Sequence, residues 1–325
     1  MKHRIKNRIH KRIRIRILPV LAIIAVLAYI LLLFLSPKRY VAATLRGISL
    51  WATSVLPCIF PFLFCTAILN KTGAMDKFAR LLAPIARFLF KLSGTSAAVL
   101  CVSLFCGYPV GAKLLSDQVR QGNLSAGEAQ KASYICSTCG PLFLIGTVGS
   151  GMFGSVRYGL ILVLCNLTAV LLTGILFRFL PTPAAKACTP QPKRGNLLYE
   201  SMTESVLSIL CVGGFIALFG TASLMAADLK LFAPPEKLLA PLFGASVAKT
   251  LPELCMEMTH GAAELANVKS PFALPLVAFG ATFGGACILC QQYAFLANAK
   301  VRFLPFLGVK LLQGVLAFVL CYFLV

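Results

Sequence analysis

Long apolar stretches alternate with short polar segments along most of the chain. A bilayer core of about 30 Å needs about 20 apolar helical residues. A stretch at the C-terminus, Phe303–Val325, has this length if Lys310 extends its ammonium to the membrane surface. Five more stretches meet the requirement directly: Leu18–Leu35, Ile48–Leu69, Tyr158–Phe177, Ser205–Ala227 and Phe272–Ala299. The pattern predicts a polytopic α-helical membrane protein.

Three further segments combine apolar residues with helix breakers or charges. Ser125–Val148 is long enough to span but contains Gly140-Pro141, so it predicts a broken seventh crossing. Met75–Leu92 sets basic residues opposite an apolar stripe, a pattern typical of a helix lying in the membrane interface. Ala97–Gly111 is apolar but short and contains Gly107–Pro109 near its end, which predicts a re-entrant segment.

A polar, basic and proline-rich linker, Pro181–Asn196, divides the chain into two similar halves. Each half has a span, an amphipathic stretch, a short glycine-containing segment, a broken or long segment and a final span. The sequence Leu-Leu-Ala-Pro at residues 81–84 recurs at residues 238–241. The predicted domains are therefore a tail (1–17), an anchor helix with its loop (18–47), a first repeat (48–180), a cytoplasmic linker (181–200) and a second repeat (201–325).

The two halves are predicted to have opposite orientations in the membrane. With the N-terminus inside, the first half starts outside and ends inside after three crossings, so the second half starts inside. Charge agrees, because residues 70–131 hold eight Lys and Arg and residues 227–270 hold four. The predicted fold is thus an all-α membrane protein with two inverted repeats, broken helices, an anchor helix and about seven crossings. This plan is typical of secondary transporters, whose substrate binds between the repeats.

Composition excludes a soluble fold, and the distribution of charge argues against nucleic acid as a partner. Charged residues make up 13% of the chain, about half their share in soluble domains. The net charge of +21 is concentrated in an N-terminal run that directly precedes the first apolar stretch: Lys2, Arg4, Lys6, Arg8, Lys11, Arg12, Arg14 and Arg16. Such a run holds the N-terminus in the cytoplasm. No small-residue cleavage site follows, which predicts an uncleaved anchor.

The first candidate site lies around Tyr108. Gly107 and Pro109 interrupt a helix, and Gly111 lets backbone approach closely. A helix that restarts after Pro109 presents free N–H groups to an anion, with Lys113 one turn further on. The alternative is a kink or loop turn without a binding role.

The second candidate, Ser137-Thr138 before Gly140-Pro141, lies inside an otherwise apolar segment. The Gly-Pro pair frees carbonyl groups on its N-terminal side. The two hydroxyl groups either satisfy those carbonyls or line a polar cavity, and we favour the cavity.

The second half offers two counterparts of these segments. Glu257, followed by Thr259 and Gly261, lies where the first half has its Gly-Tyr-Pro segment. A carboxylate at membrane depth costs about 2.5–3.5 kcal/mol, so Glu257 is predicted to carry a coupling ion or cap the facing half-helix unless it meets water. Gly284-Gly285, followed by Gln291, corresponds to the Gly140-Pro141 segment; the glycines permit close packing and Gln291 is a candidate amide contact to substrate.

Two cysteine pairs fall in corresponding segments, Cys136-x-x-Cys139 and Cys287-x-x-Cys290. Four thiolates would suit a soft metal, but thiols on apolar helices commonly act as small packing residues. We therefore expect neither a metal nor a cofactor. The sequence contains no catalytic triad, phosphate loop or paired catalytic carboxylates, so an enzyme is not expected.

At these segments the chain resembles the sporulation integral membrane proteins of the YlbJ type, within the nucleoside-recognition or Gate superfamily. The likeness covers about residues 48–325. Its motifs are Gly107–Lys113, Gly140–Gly149, Glu257-x-Thr259-x-Gly261 and Gly284-Gly285 followed by Gln291.

The resemblance implies transport of dipicolinic acid across the mother-cell-derived, outer forespore membrane of a developing endospore. Half-helix N-termini and Lys113 would suit the carboxylates of this dianion, and Tyr108 would stack on its ring. The implied partners are the bilayer, this substrate, and further copies of the chain or other sporulation membrane proteins. Three alternatives stay open: transport of nucleosides, transport of a soft metal such as ferrous iron, and a non-transporting scaffold.

Overall fold

The computed structural model describes residues 20, 22–181 and 196–325. The predicted tail (1–17), the start of the first apolar stretch and most of the linker (181–200) lie outside the described residues. The described part is helical with no strand, which confirms the predicted all-α fold class.

The first half consists of helices joined by tight turns and interrupted by two breaks. Its α-helices are α1 (Ala22–Leu35), α2 (Pro37–Leu50), α3 (Leu56–Lys71), α4 (Ala74–Phe90), α5 (Gly94–Cys106), α6 (Val110–Arg120), α7 (Ala126–Ser133) and α8 (Val156–Leu176). Two π-helical segments, Trp51–Val55 and Phe143–Met152, and a short 3-10 helix, Phe177–Phe179, complete it.

The second half repeats this order. Its helices are α9 (Leu197–Asp228), α10 (Ala233–Phe243), α11 (Ala245–Met256), α12 (Met258–Ala266), α13 (Ala273–Phe283), α14 (Gly285–Leu296) and α15 (Phe303–Leu324). The long α2–α3 helix corresponds to α9, and the final spans are α8 and α15. Between them, each half has two shorter helices, a break, two further helices, a second break and a last short helical segment. The order supports two repeats, whose opposite orientation in the membrane stays a prediction.

Five helices of the described residues are long and apolar enough to span a bilayer: Pro37–Lys71, Val156–Phe179, Leu197–Asp228, Ala273–Leu296 and Phe303–Leu324. All five contain or match predicted spans. Pro37–Lys71 extends the predicted span Ile48–Leu69 at its N-terminal end by residues 37–47, which the sequence assigns to the anchor helix and its loop. Residues 22–35 form a shorter apolar helix, and Ser125–Val148 is broken as predicted, with α7 ending at Ser133.

The predicted interfacial and re-entrant segments form a bent pair. Helix α4 meets α5 at an angle of 92°. Leu81, Ile85 and Phe88 of α4 are strongly exposed, which suits contact with lipid rather than with a water-filled surface. Counted as one span, the pair would bring the total of candidate crossings to six.

The two halves pack closely where α2 and α3 run along α9. The Trp51 indole N–H donates to the carbonyl of Ile209 over 3.1 Å, and the ring lies on Gly213. At Gly47, an added Cβ would lie 2.9 Å from the Cα of Ala217. Small residues at such crossings allow backbones to approach and gain van der Waals contact, which substitutes for the hydrophobic effect inside a bilayer.

Candidate functional site

A cavity of about 50 Å³ lies where the breaks of the two halves meet. The sequence-predicted residues in its lining are Tyr108, Gly140, Glu257, Thr259 and Gln291. Apolar side chains of α3 and α9 form part of the remaining wall, among them Ile59, Phe62, Val212 and Ile216. The cavity therefore combines polar groups from helix breaks with apolar surface from the two long helices.

The two breaks of the first half cross each other at glycine. Gly107 ends α5 with φ 75° and ψ −173°, and an added Cβ would collide with the backbone of Gly140. Gly111 is the second residue of α6, and an added Cβ there would collide with the carbonyl oxygen of Cys136. Pro109 precedes α6 and Pro141 follows Gly140, so both breaks have the Gly and Pro chemistry that the sequence indicated. These residues shape the backbone of the site.

Ser137 and Thr138 are fully buried in the extended segment before Gly140. The Asn166 amide, in the middle of α8, donates to the Thr138 hydroxyl over 2.8 Å. Within the described part of the chain, the Ser137 hydroxyl and the Asn166 amide oxygen have no hydrogen-bond partner. Sequence reasoning missed Asn166, although a lone amide in an apolar span is itself a signal of a functional site.

Glu257 is 1% exposed and occupies the break between α11 and α12. Its carboxylate accepts hydrogen bonds from the backbone N–H groups of Thr259 and His260, at 3.2 and 2.8 Å. Glu257 therefore caps the helix that it begins, rather than the facing half-helix. Its burial in the described structure disfavours the alternative that it meets water.

The Gly284 break is as tightly packed as its first-half counterpart. An added Cβ on Gly285 would lie 3.0 Å from the carbonyl of Leu254, and one on Gly261 would overlap the backbone of the same residue. Gln291 donates to the Cys287 sulfur over 3.2 Å. Beside it, the fully buried Gln292 amide and Thr282 hydroxyl have no partner among the described residues, and sequence reasoning missed both.

Tyr108 connects the break of the first half to the second half. Its hydroxyl donates to the carbonyl of Ala281 over 3.1 Å. Ala281 lies in the last turn of α13, three residues before Gly284. Tyr108 therefore lines the cavity and also joins the two halves through its hydroxyl group.

Lys113 lies outside the cavity lining, contrary to the role expected for it beside Tyr108. Its ammonium is 3.7 Å from the carboxylates of both Asp117 and Glu204. Glu204 also pairs with Lys71, at 3.0 Å. Burial raises the pKa of the Asp117 carboxyl, although Lys113 and Arg120 act in the opposite direction. These charges form an ion-pair network that joins α3, α6 and the start of α9.

Lys310 also departs from expectation, because it does not extend to a membrane surface. The side chain is fully buried, and its ammonium donates to the carbonyl of Ser137 over 2.6 Å. Packing of α15 against α8 directs it toward the first-half break. A lysine eight residues into an apolar helix has the same local sequence whether it snorkels or turns inward, so only the packing could reveal it.

The cysteine pairs do not converge on a metal site. Within residues 22–181 and 196–325, no group of three or more His, Cys, Asp or Glu side chains could hold a metal ion. Cys139 lines the cavity, whereas Cys136 packs in the core beside Ala132 and Ile135. The soft-metal alternative has no support in this part of the chain.

Comparisons with known proteins agree with the motifs. Residues 52–182 match the model of the Gate family, described as nucleoside recognition. The chain is 27% identical over 318 residues to the sporulation integral membrane protein YlbJ of Bacillus subtilis strain 168, covering 86% of this chain and 76% of that protein. No solved structure matches. The resemblance expected from the motifs is thus confirmed: this is an integral membrane protein similar to YlbJ, and residues 52–182 of its first half are similar to the Gate family.

Proposed function

We propose that this protein transports a small organic anion, dipicolinate during endospore formation, and binds it in the cavity between the two repeats. The observation that carries the proposal is the position of the cavity at the junction of helix breaks from both halves. Broken helices at a repeat interface are the usual substrate site of secondary transporters. The likeness to a sporulation membrane protein supports a role in endospore formation. The proposed location is the outer forespore membrane.

The chemistry of the lining suits a flat molecule with polar ends. Ile59, Phe62 and Val212 offer apolar surface to a ring, while Thr259 and Gln291 offer hydrogen-bonding groups. The N-terminus of α6 opens beside the cavity and favours negative charge. In contrast, the N-terminus of α12 already holds the Glu257 carboxylate.

A space of about 50 Å³ holds a few water molecules rather than an aromatic dicarboxylate. We propose that the described conformation is closed and that the halves separate to admit substrate. Lys113 would act on the approach to the cavity, because Glu204 lies two turns of α9 before Val212 of the cavity wall.

The proposal is tested with purified protein in liposomes loaded with terbium, whose luminescence rises when dipicolinate binds. We expect protein-dependent dipicolinate uptake that uridine, at equal concentration, does not compete away. If folded protein, inserted in both orientations, gives no uptake, the hypothesis that this protein alone transports dipicolinate is excluded. Protein-dependent uptake of radiolabelled uridine, with no dipicolinate uptake, would support the nucleoside alternative, which agrees with the description of the Gate family.

Tyr108 variants separate the contribution of the ring from that of the hydroxyl. Tyr108→Phe loses the bond to the Ala281 carbonyl, a cost of about 1 kcal/mol, and we expect uptake within about fivefold of wild type. Tyr108→Ala also removes the ring from the cavity wall, and we expect uptake to fall at least about tenfold. Initial rates are normalised to folded protein, with exposed Tyr199→Ala as control. Equal uptake by the two Tyr108 variants would contradict ring stacking.

The scaffold alternative makes the opposite prediction. A non-transporting protein that assembles a sporulation complex would tolerate substitution of Glu257, Lys113 and Gln291. It would instead lose function on surface changes in the linker, most of which lies outside the described residues. We further propose that the protein is not an enzyme, since its site offers binding groups rather than a nucleophile with a base.

A further inference from the structure

The extended segment before Gly140-Pro141 exposes backbone carbonyls inside the protein. Unwound segments of this kind provide carbonyl ligands for the coupling cations of secondary transporters. In this protein a cation already lies there. The ammonium of Lys310 is 2.6 Å from the carbonyl oxygen of Ser137 and 3.0 Å from the amide oxygen of Gln313.

Gln313 is oriented so that its oxygen faces this ammonium. Its amide nitrogen donates to the carbonyl of Tyr134 over 2.6 Å and to the Thr173 hydroxyl over 2.7 Å. These two bonds leave the amide oxygen as the atom directed at Lys310. All of these side chains except that of Tyr134 are fully buried, so α15 supplies both the cation and one of its oxygen ligands.

The positive charge of Lys310 has no carboxylate partner within 4.0 Å among the described residues. Buried charges are normally paired, because an unpaired ion loses several kcal/mol of hydration. Neutral carbonyl oxygens of unwound backbone are instead ligands that secondary transporters offer to a coupling cation.

We propose that Lys310 is a tethered cation that occupies the cation position of the first-half break, so that the protein needs no sodium ion there. The inference goes beyond the proposed function. It assigns the break an ammonium group from the other repeat, which keeps the Ser137 carbonyl satisfied inside the protein.

The test uses the whole purified chain in detergent and needs no transported substrate. Lys310→Ala leaves a space and free oxygen ligands, so we expect a lower thermal denaturation temperature that n-propylammonium chloride raises in a saturable way. Lys310→Met fills the same space without charge, and n-propylammonium should leave its denaturation temperature unchanged. The wild type should denature at the same temperature in sodium and potassium chloride.

Three results would overturn the inference. The first is that n-propylammonium stabilises the alanine and methionine variants equally, or that it stabilises neither variant. The second is a methionine variant as stable as the wild type, since the ammonium would then be dispensable. The third is a saturable stabilisation of the wild type by sodium over potassium. Because none involves dipicolinate, failure of the substrate assignment and failure of the tethered cation are distinguishable.

A transport measurement adds a second test, because a lysine with a purely structural role would not determine whether uptake depends on sodium. If dipicolinate is carried, replacing sodium by choline should leave wild-type uptake unchanged within about twofold. Lys310→Arg should retain uptake, whereas Lys310→Met should lose at least about tenfold. A tenfold loss of wild-type uptake without sodium would contradict the proposal.

Discussion

Replacing Glu257 with glutamine is expected to reduce dipicolinate uptake by about 10- to 100-fold. The carboxylate uses both oxygens to accept bonds from the N–H groups of Thr259 and His260. Glutamine has a single acceptor oxygen, so one N–H loses a charge-assisted bond worth about 1.5–3 kcal/mol. Uptake is measured in terbium-loaded proteoliposomes and normalised to folded protein.

The matched control is Glu264→Gln. Glu264 lies on the same helix, α12, and carries the same charge, but its side chain is exposed. We expect uptake close to wild type, because an exposed carboxylate contributes little. If both variants lose uptake to the same degree, the effect belongs to net charge on α12, and the cap at the cavity is not responsible.

Substituting Gly107 with alanine is expected to have the largest effect on stability. The backbone there has φ 75° and ψ −173°, a region that is essentially restricted to glycine and costs other residues about 1–3 kcal/mol. The new Cβ would in addition collide with the backbone of Gly140, and overpacking typically costs about 1–3 kcal/mol more. We therefore expect a pronounced fall in the thermal denaturation temperature. This temperature is measured by size-exclusion chromatography of samples heated to a series of temperatures.

Gly154→Ala separates the two contributions. Gly154 also has a positive φ, 65°, but an added Cβ would meet nothing within 4 Å. Its substitution should cost only the conformational penalty of about 1–2 kcal/mol. If Gly107→Ala denatures at the same temperature as Gly154→Ala, the crossing of the two breaks is looser than the structure indicates, and the cavity is less well defined.

These two predictions address the same junction from its two sides. Glu257 begins α12 of the second half, and Gly107 ends α5 of the first half. Tyr108 crosses between them by donating to Ala281. Small changes at such a junction affect both halves because packed interiors do not deform continuously. This arrangement would couple substrate binding to movement of one repeat against the other.

Much of the architecture could be predicted from the sequence because its causes are local. Span length follows from the run of apolar residues, as at α15, and the breaks follow from glycine and proline, as at Gly107–Pro109 and Gly140-Pro141. The order of elements along the sequence also predicts two repeats, and this stays a prediction. The predicted loop at residues 37–47 was wrong: these residues form most of α2, with proline at its N-terminal end.

The breaks also predicted where the cavity would be, but not which side chains face it. Tyr108, Glu257 and Gln291 line it as their positions suggested. Asn166 of α8 contacts the Ser137-Thr138 segment although 28 residues separate it from Thr138. A single sequence contains no information about such distant contacts, because they depend on how helices pack.

The clearest division between sequence and structure concerns two lysines. Lys113 follows a helix break and has the sequence position of an anion ligand, yet α6 packs so that it pairs with Asp117 and Glu204. Lys310 lies in an apolar span and has the sequence position of a snorkelling residue, yet it is buried against Ser137. Length, apolar periodicity and breakers determine helices and their interruptions, since these depend on neighbouring residues. The destination of a long charged side chain depends on the helices around it, and only the tertiary structure decided it.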